Sequence, residues 1–289
     1  MPGMNDSYIK LIECPRDAMQ GWLHFIPTEK KISYINALLE VGFDTIDFGS
    51  FVSPKAIPQM ADTIEVISNI EIRNTKTNLL AIVANERGAK EAVSFDAINY
   101  LGFPFSISET FQQRNTNAGM TESLERVAQI QNLCSDNNKQ LVVYISMGFG
   151  NPYGDLYNEG IVEEWVLKLT ALGIKIISLA DTVGLASAEQ VFSVTENIID
   201  SFPEVEVGVH LHSSANNWKE KADAALLAGC RRFDGAIKGI GGCPMSGSEL
   251  VGNMNMENII THFESLGYKT GINTAALKEC LQMANEIFI

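Results

Sequence analysis

The sequence has few of the residues that mark several common classes of protein. Its five cysteines among 289 residues are odd in number and scattered, without a CxxC pair, so no disulfide framework is expected. Only 21 residues are basic against 35 acidic ones, and the net charge of −14 argues against a nucleic-acid-binding surface. No apolar run approaches the roughly 18 residues of a membrane span, and no signal peptide is visible. We therefore expect a cytoplasmic protein with reduced thiols that binds neither nucleic acid nor membrane.

Short apolar runs rich in strand-forming residues alternate with longer helix-like segments along the chain. The predicted strands are 8–13, 44–48, 78–83, 96–101, 140–146, 174–180, 205–211 and 232–237. The predicted helices are 28–40, 57–68, 86–93, 121–137, 159–171, 187–200, 216–228 and 255–265. Strand–helix alternation implies parallel strands with right-handed crossovers. Eight such units in about 250 residues predict an α/β fold, the (β/α)8 TIM barrel.

A doubly wound α/β sheet is the alternative architecture. It would require a glycine-rich phosphate loop after the first strand, and the sequence there is ECPRD at 13–17. No linker rich in proline, glycine or serine divides the chain. We therefore predict a single barrel domain over 1–289, with a C-terminal helical extension at about 266–289 that packs outside the barrel.

Polar side chains concentrate where the predicted strands end. In a (β/α)8 barrel the catalytic groups lie at the carboxyl ends of the strands and in the loops that follow. The polar residues at those positions are Arg16, Asp17, Gln20, Asp47, Asp181, His210, His212, Lys238, Cys243 and Asn253. We expect these side chains to form an active site at one mouth of the barrel.

Two of the four histidines stand one residue apart in GVHLH, so both side chains point to the same face of a strand. Each could be a core histidine with one hydrogen bond, but the pairing at a strand end favours a metal site. Two imidazoles with a carboxylate and an amide oxygen suit Mg²⁺ or Mn²⁺, and Zn²⁺ is also compatible. Asp17 is a candidate carboxylate ligand; its alternatives are a helix N-cap or an ion pair with Arg16.

Three further residues are candidates for proton transfer. Asp47 is the only ionisable group in the apolar run TIDFGSF, and burial would perturb its pKa. Asp181 is either functional or a helix cap after the sixth strand. Cys243 lies in the glycine-rich segment IGGCPMSGS, where a mobile loop could present a thiol as a general acid or a nucleophile.

Five motifs occur in a specific order: IECPRDAMQ, TIDFGSFVSPKAIPQM, SLADTVG, GVHLH and GIGGCPMSGSELVGN. Together they resemble the 3-hydroxy-3-methylglutaryl-CoA lyases, metal-dependent (β/α)8-barrel enzymes, over most of residues 8–265. The resemblance implies retro-Claisen cleavage of an acyl-CoA to acetyl-CoA and acetoacetate, a homodimer and a role in leucine degradation. Condensing synthases share the Arg-Asp element and the histidine pair. A Claisen-type synthase, similar to citramalate or isopropylmalate synthase, is therefore the alternative.

The resemblance also implies a role for each matched residue. The implied metal ligands are Asp17, His210, His212 and Asn253. Arg16 matches the arginine that steadies the enolate or thioester oxygen, and Cys243 matches the thiol that handles a proton on the acetyl-CoA fragment. Asp47 stands where the family commonly has a glutamate beside the substrate hydroxyl. Asp181 matches an active-site aspartate.

The segment Gly21-Trp22-Leu23 departs from the family pattern. Relatives have a short polar segment here, with a basic residue thought to meet the CoA phosphates. Lys238 could supply the missing positive charge in this acidic chain, although a solvated surface lysine is the alternative. Arg16, Gln20 and Lys238 are therefore the candidate contacts to the substrate.

Overall fold

Eight parallel strands form a closed barrel in the computed structural model, which describes residues 7–72, 75–242 and 251–289. The strands are β1 Lys10–Glu13, β2 Thr45–Ser50, β3 Asn78–Ile82, β4 Tyr100–Ser106, β5 Gln140–Ser146, β6 Ile176–Asp181, β7 Glu206–Ser213 and β8 Arg232–Gly235. Neighbours in sequence are neighbours in the sheet, and β1 pairs with β8 to close the barrel. The predicted (β/α)8 fold is confirmed.

Eleven α-helices lie in the part of the chain that the structure describes. They are α1 Pro15–Gln20, α2 Thr28–Leu39, α3 Thr63–Asn69, α4 Glu86–Val93, α5 Glu109–Thr116, α6 Met120–Asp136, α7 Glu159–Ala171, α8 Ala188–Ser201, α9 Trp218–Leu227, α10 Met256–Ser265 and α11 Thr274–Ile287. Polar side chains cap several of them, as where Asn158 accepts a bond from the backbone N–H of Ile161 at the start of α7. No helix among these residues has the length and apolar character needed to cross a bilayer.

The fourth strand was predicted wrongly at 96–101, because the chain after Tyr100 contains Gly102 and Pro104, which are unusual inside strands. Pairing with β3 ends at Gly102, while pairing with β5 continues to Ser106. The backbone groups of Pro104 and Gly102 are directed toward the same neighbouring strand, β3. Because pairing with β3 ends at Gly102, the missing N–H of Pro104 breaks no ladder bond. The tertiary context therefore tolerates a proline that local sequence rules treat as a strand breaker.

Two additional helices and one divided helix also differ from the prediction. The short helices α1 and α5 were not predicted, and the predicted helix 57–68 divides into a 3₁₀ turn at Pro58–Met60 and α3. At α1, Pro15 occupies the first turn, where its fixed φ is favourable and its missing N–H costs nothing. This turn places the two residues after it at the mouth of the barrel.

The apolar core has two layers. The larger one lies between the sheet and the surrounding helices, and a smaller cluster, which includes Leu80, Val142 and Ile176, fills the barrel interior. The predicted C-terminal helix is present as α11, which packs against α2, and the Tyr34 and Phe288 rings meet edge to face at 6.4 Å. Both layers hold the strand ends rigidly, as a site built from several strands requires.

A ninth strand, β9 Gly252–Asn253, was not predicted. It pairs antiparallel with the end of β7, and the register places Asn253 opposite His212. This short pairing returns the chain from the β8 loop to the barrel mouth. Two residues that are far apart in sequence therefore become direct neighbours.

Candidate active site

Arg16 is the centre of a buried polar cluster at the start of α1. Its Nε donates to Asp47 Oδ2 at 3.0 Å and its Nη2 to the same oxygen at 2.5 Å. Its Nη1 donates to Gln20 Oε1 at 2.9 Å and to Asp17 Oδ1 at 3.3 Å. Gln20 in turn donates to Asp17 Oδ1 at 2.6 Å. The guanidinium group is therefore fixed in orientation by three side chains from two elements.

His210 and His212 project from one face of β7, with ring centroids 5.2 Å apart. Nδ1 of His210 lies 3.2 Å from Asp234 Oδ2, and Nδ1 of His212 lies 3.0 Å from the Val251 carbonyl oxygen. A proton on each Nδ1 satisfies these acceptors and leaves each Nε2 with a free lone pair. A carboxylate or carbonyl behind the ring is the usual arrangement for a histidine that binds a metal through its other nitrogen.

Asn253 completes the group from β9. Its Nδ2 donates to Asp17 Oδ2 at 2.6 Å and to the Ile240 carbonyl at 2.9 Å. Its Oδ1 is buried and has no hydrogen-bond partner among the described residues. A buried amide oxygen without a donor is costly unless a cation or another donor fills that direction.

Asp17, His210 and His212 each offer one ligand atom, and these atoms lie within 4.8 Å of one another. Asn253 adjoins them through its Nδ2 bond to Asp17, and its unpartnered Oδ1 would add a second oxygen to their two nitrogens and one oxygen. That set fits a divalent ion of the Mg²⁺, Mn²⁺ or Zn²⁺ type. The structure therefore brings together the four predicted metal ligands as one candidate cluster.

Glycine at 241 is required for this cluster to close. Its φ is +115°, and a Cβ at this position would overlap the Asn253 amide and approach Asp17 Oδ2 within 2.9 Å. The backbone of the GIGG segment thus lies directly against the bond that joins Asn253 to Asp17. Only a residue without a side chain permits that approach.

Burial and neighbouring charges shift the pKa values of the cluster in opposite directions. Burial would raise the pKa of Asp17, but Arg16 and the two histidines outweigh it, so that pKa is lowered. Burial raises the pKa of Asp47 to about 6, although the Arg16 guanidinium opposes the shift. Burial and the neighbouring His210 lower the pKa of His212. Asp17 as a carboxylate and His212 as a neutral imidazole are the forms that bind a cation.

The cluster borders a cavity of about 420 Å³. Arg16, Asp17, Gln20, His210 and His212 line it together with Tyr144, Ser146 and Thr182. A cavity of this size accommodates the reacting part of a small organic acid. The predicted site residues Arg16, Asp17 and Gln20 therefore share one chamber with the histidine pair.

Three predicted site residues have other surroundings or lie outside the description. Asp181 is not among the cavity-lining residues; its carboxylate pairs with Lys221 Nζ at 2.7 Å and accepts the Ala186 N–H at 3.3 Å. Lys238 is exposed, and its Nζ contacts Asn285 Oδ1 in α11 at 2.5 Å. Cys243 falls outside the described residues.

Sequence reasoning missed Asp234 and Lys221. Asp234 is buried behind His210, and Lys221 is buried behind the end of β7. The signal for Asp234 was available, because it is the only acid in the apolar run RFDGAI, as Asp47 is in its own strand. Lys221 lies in the charged helical segment WKEKAD, where nothing distinguishes a buried lysine from a solvated one.

The fold and the cluster define a class: a (β/α)8-barrel enzyme with a candidate nitrogen–oxygen metal centre at the carboxyl ends of its strands. Within that class the chain belongs to the HMGL-like family, whose model matches residues 9–284. The prediction of family membership is thereby confirmed.

Individual relatives point the same way. The chain is 34% identical to the hydroxymethylglutaryl-CoA lyase YngG of Bacillus subtilis, over 94% of this chain and 90% of that protein. It is 31% identical to the mitochondrial hydroxymethylglutaryl-CoA lyase of Mus musculus, over 94% of this chain and 83% of that one. The structure of an HMG-CoA lyase from Acinetobacter baumannii in complex with coenzyme A and 3-methylmalate matches with a TM-score of 0.91 and 31% identity, covering 99% and 93% of the two chains. These relatives favour the lyase prediction over the synthase alternative.

Proposed function

We propose that this protein is a hydroxymethylglutaryl-CoA lyase, which cleaves 3-hydroxy-3-methylglutaryl-CoA to acetyl-CoA and acetoacetate with the help of a divalent ion. The observation that carries the proposal is the convergence of Asp17, His210 and His212 within 4.8 Å, beside the fixed guanidinium group of Arg16. A carbon–carbon lyase of this kind needs both a cation near the substrate hydroxyl and a positive group near the thioester.

Asp17, His210, His212 and Asn253 are the residues that would hold the ion, Mg²⁺ or Mn²⁺ in the first instance. The orphaned Oδ1 of Asn253 and the lowered pKa of Asp17 support this assignment. When bound, a divalent cation supplies Lewis acidity that polarises the C3 hydroxyl group and lowers its pKa. The protein residues supply every other part of the reaction.

The reaction transfers one proton away from C3–OH and one proton to C2. Asp47 accepts the hydroxyl proton, because a His210 that binds the ion through Nε2 and donates its Nδ1–H to Asp234 has no lone pair left to accept it. The C2–C3 bond breaks, and C3 becomes the ketone carbon of acetoacetate. The electron pair of that bond moves into the thioester, where Arg16 stabilises the negative oxygen. Cys243 then delivers a proton to C2, which gives acetyl-CoA. The pKa of Asp47, raised to about 6, supports its role as a proton acceptor that works near neutral pH.

Binding of the acyl-CoA involves Arg16 and Gln20 in the cavity, and we retain Lys238 as a candidate phosphate contact outside it. The relative from Acinetobacter baumannii, solved with coenzyme A, supports an acyl-CoA ligand. Asp181 remains a proposed active-site aspartate. We also propose that the chain acts as one catalytic domain in a cytoplasmic homodimer of leucine degradation, which rests on the family resemblance.

A coupled assay for acetoacetate tests the proposal. Chelator-treated protein should be inactive with 3-hydroxy-3-methylglutaryl-CoA, and added Mn²⁺ or Mg²⁺ should restore activity. Full activity after complete chelation would remove the metal role from the histidine pair. Release of free CoA from acetyl-CoA and a 2-oxo acid, without cleavage of the lyase substrate, would instead support the synthase alternative.

A further inference from the structure

Arg114 lies on α5 and lines the same cavity as the candidate metal cluster. Arg16 and Arg114 carry the only permanent positive charges among the described residues that line this cavity. The guanidinium group of Arg16 already donates hydrogen bonds to three side chains of the site. The guanidinium group of Arg114 has neither a hydrogen-bond acceptor nor an ion-pair partner within the described ranges. Arg114 is therefore the cation of the cavity whose donors remain available to a ligand.

An aromatic ring holds the side chain of Arg114 in place. The guanidinium carbon lies 4.7 Å from the centre of the Tyr153 ring. Phe111, which also lines the cavity, stacks on the same ring with centroids 6.3 Å apart. Phe111 and Arg114 are three residues apart on α5, so they share one face of the helix. Stacking occupies the flat face of a guanidinium group and leaves the N–H groups at its edge free to bind oxygen atoms.

The turn that carries Tyr153 is itself fixed to α5. Oδ1 of Asn151 accepts the N–H groups of Tyr153 at 3.0 Å and of Asp155 at 3.1 Å. The Asp155 carboxylate then accepts the N–H of Thr110 at 2.9 Å and its hydroxyl at 2.8 Å, one on each oxygen. The charge of Asp155 interacts with that of Arg114. Because both Asp155 oxygens are bonded to Thr110, this acid offsets the positive charge without occupying its donors.

We infer that Arg114 binds an oxyanion of the acyl-CoA substrate and thereby contributes to substrate specificity. The coenzyme carries phosphate groups and the proposed acyl group carries a carboxylate, and a guanidinium group binds either through paired N–H···O bonds. In a chain with a net charge of −14, a cation on the cavity wall also offsets the repulsion of an anionic substrate. Lys238, the other candidate contact, does not line the cavity. This assignment rests on the proposed function and gives Arg114 a role in binding, with no part in the bond-breaking step.

Two ligands that each carry one of the two anions test the assignment. Coenzyme A has the phosphates without the acyl carboxylate, and the pantetheine thioester of 3-hydroxy-3-methylglutarate has the carboxylate without the phosphates. If Arg114 binds a phosphate, Arg114→Gln should weaken coenzyme A binding in calorimetry by about tenfold, the size of one lost hydrogen bond between charged groups. The KM for the pantetheine thioester should then stay unchanged. If Arg114 binds the carboxylate, that KM should rise about tenfold and coenzyme A affinity should stay unchanged.

Arg114→Lys should recover part of the lost affinity, because the charge returns without the planar fork. Arg87→Gln is the matched control, since Arg87 is exposed on α4 and does not line the cavity, and thermal unfolding checks that each variant folds. Arg114→Gln that matches this control with both ligands would overturn the assignment. Coenzyme A binding that depends on Arg114, in a wild-type protein that does not cleave the acyl-CoA, would support the assignment and overturn the proposed function. Wild-type protein that neither binds coenzyme A nor cleaves either thioester would overturn both.

Discussion

Two buried ion pairs at the same end of the barrel have similar chemistry and different surroundings. Arg16 pairs with Asp47 at 2.5 Å, and Lys221 pairs with Asp181 at 2.7 Å. Arg16 lines the cavity, whereas neither Lys221 nor Asp181 does. The remaining hydrogens of Lys221 go to the carbonyls of His212 at 3.0 Å and Gly184 at 3.3 Å. The two pairs therefore differ in their cations: Arg16 faces the cavity, whereas Lys221 joins the end of β6 to the end of β7, and neither Asp47 nor Asp181 lines the cavity.

The largest effect is expected from Arg16→Lys. A lysine keeps the positive charge but loses the planar fork that contacts Asp47, Gln20 and Asp17 together. We predict a fall in kcat of about 10²–10³-fold, the size seen when a donor to a developing oxyanion is lost. Steady-state kinetics gives kcat, and calorimetry should also show weaker Mn²⁺ binding, because Arg16 donates to the candidate ligand Asp17. An unchanged kcat would show that the Arg16–Asp47 pair stabilises the fold and takes no part in catalysis.

Lys221→Met should act mainly on stability. It leaves the Asp181 carboxylate buried without its cation, which costs about 3–5 kcal/mol in the free energy of unfolding. Urea denaturation measures this loss, and Asp181→Asn in the same chain should recover part of it because no unpaired charge remains. A stable Lys221→Met protein with a large kcat defect would contradict the bracing role and favour Asp181 as an active-site residue.

The raised pKa of Asp47 predicts a pH dependence for the Arg16–Asp47 pair. Its pKa is raised to about 6 by burial, so kcat/KM should fall about tenfold for each pH unit below 6 if the carboxylate form is required. The folded state also holds this proton more tightly than the unfolded state. Its contribution to unfolding free energy therefore declines as pH rises from about 4 to about 6. A pH–rate profile of Asp47→Asn should lack this acidic limb; its persistence would assign the limb to another group.

The smallest effect is expected at Asp155, a half-buried acid after β5. Its carboxylate accepts bonds from Ser108 Oγ at 2.5 Å and Thr110 N–H at 2.9 Å, and the Ser108 bond is the largest cause of its lowered pKa. Asp155→Asn should reduce stability by about 1 kcal/mol at neutral pH, as for loss of a helix cap. A lowered carboxyl pKa stabilises above the ordinary value of about 4, so the difference should shrink as pH falls below it.

Urea denaturation at pH 7 and at pH 3 measures that difference. Glu86→Gln on α4 is the matched control, because its exposed pair with Lys90 contributes close to nothing. A loss at Asp155 no larger than that of the control would show that its hydrogen bonds to the start of α5 do not stabilise the fold.

The fold could be predicted because each strand–helix unit carries its own periodicity, and the His-x-His pair could be placed because alternate strand residues share a face. The predictions that are wrong concern positions at which tertiary contacts override local sequence preferences. Pro104 lies within β4 because pairing on its own side ends at Gly102. Lys221 could not be recognised as buried, since its helix reads as charged and its partner Asp181 is 40 residues away.

The sequence alone determined the alternation that makes a barrel, the face shared by His210 and His212, and the presence of Arg16 and Asp17 after the first strand. Only the tertiary structure decided which polar residues meet. The β7–β9 pairing brings Asn253 to His212, the close approach at Gly241 joins it to Asp17, and the β7–β8 register sets Asp234 behind His210. The physical reason is that side-chain direction along a strand is a local property, whereas contact between strands depends on register and loop path, which no short stretch of sequence encodes.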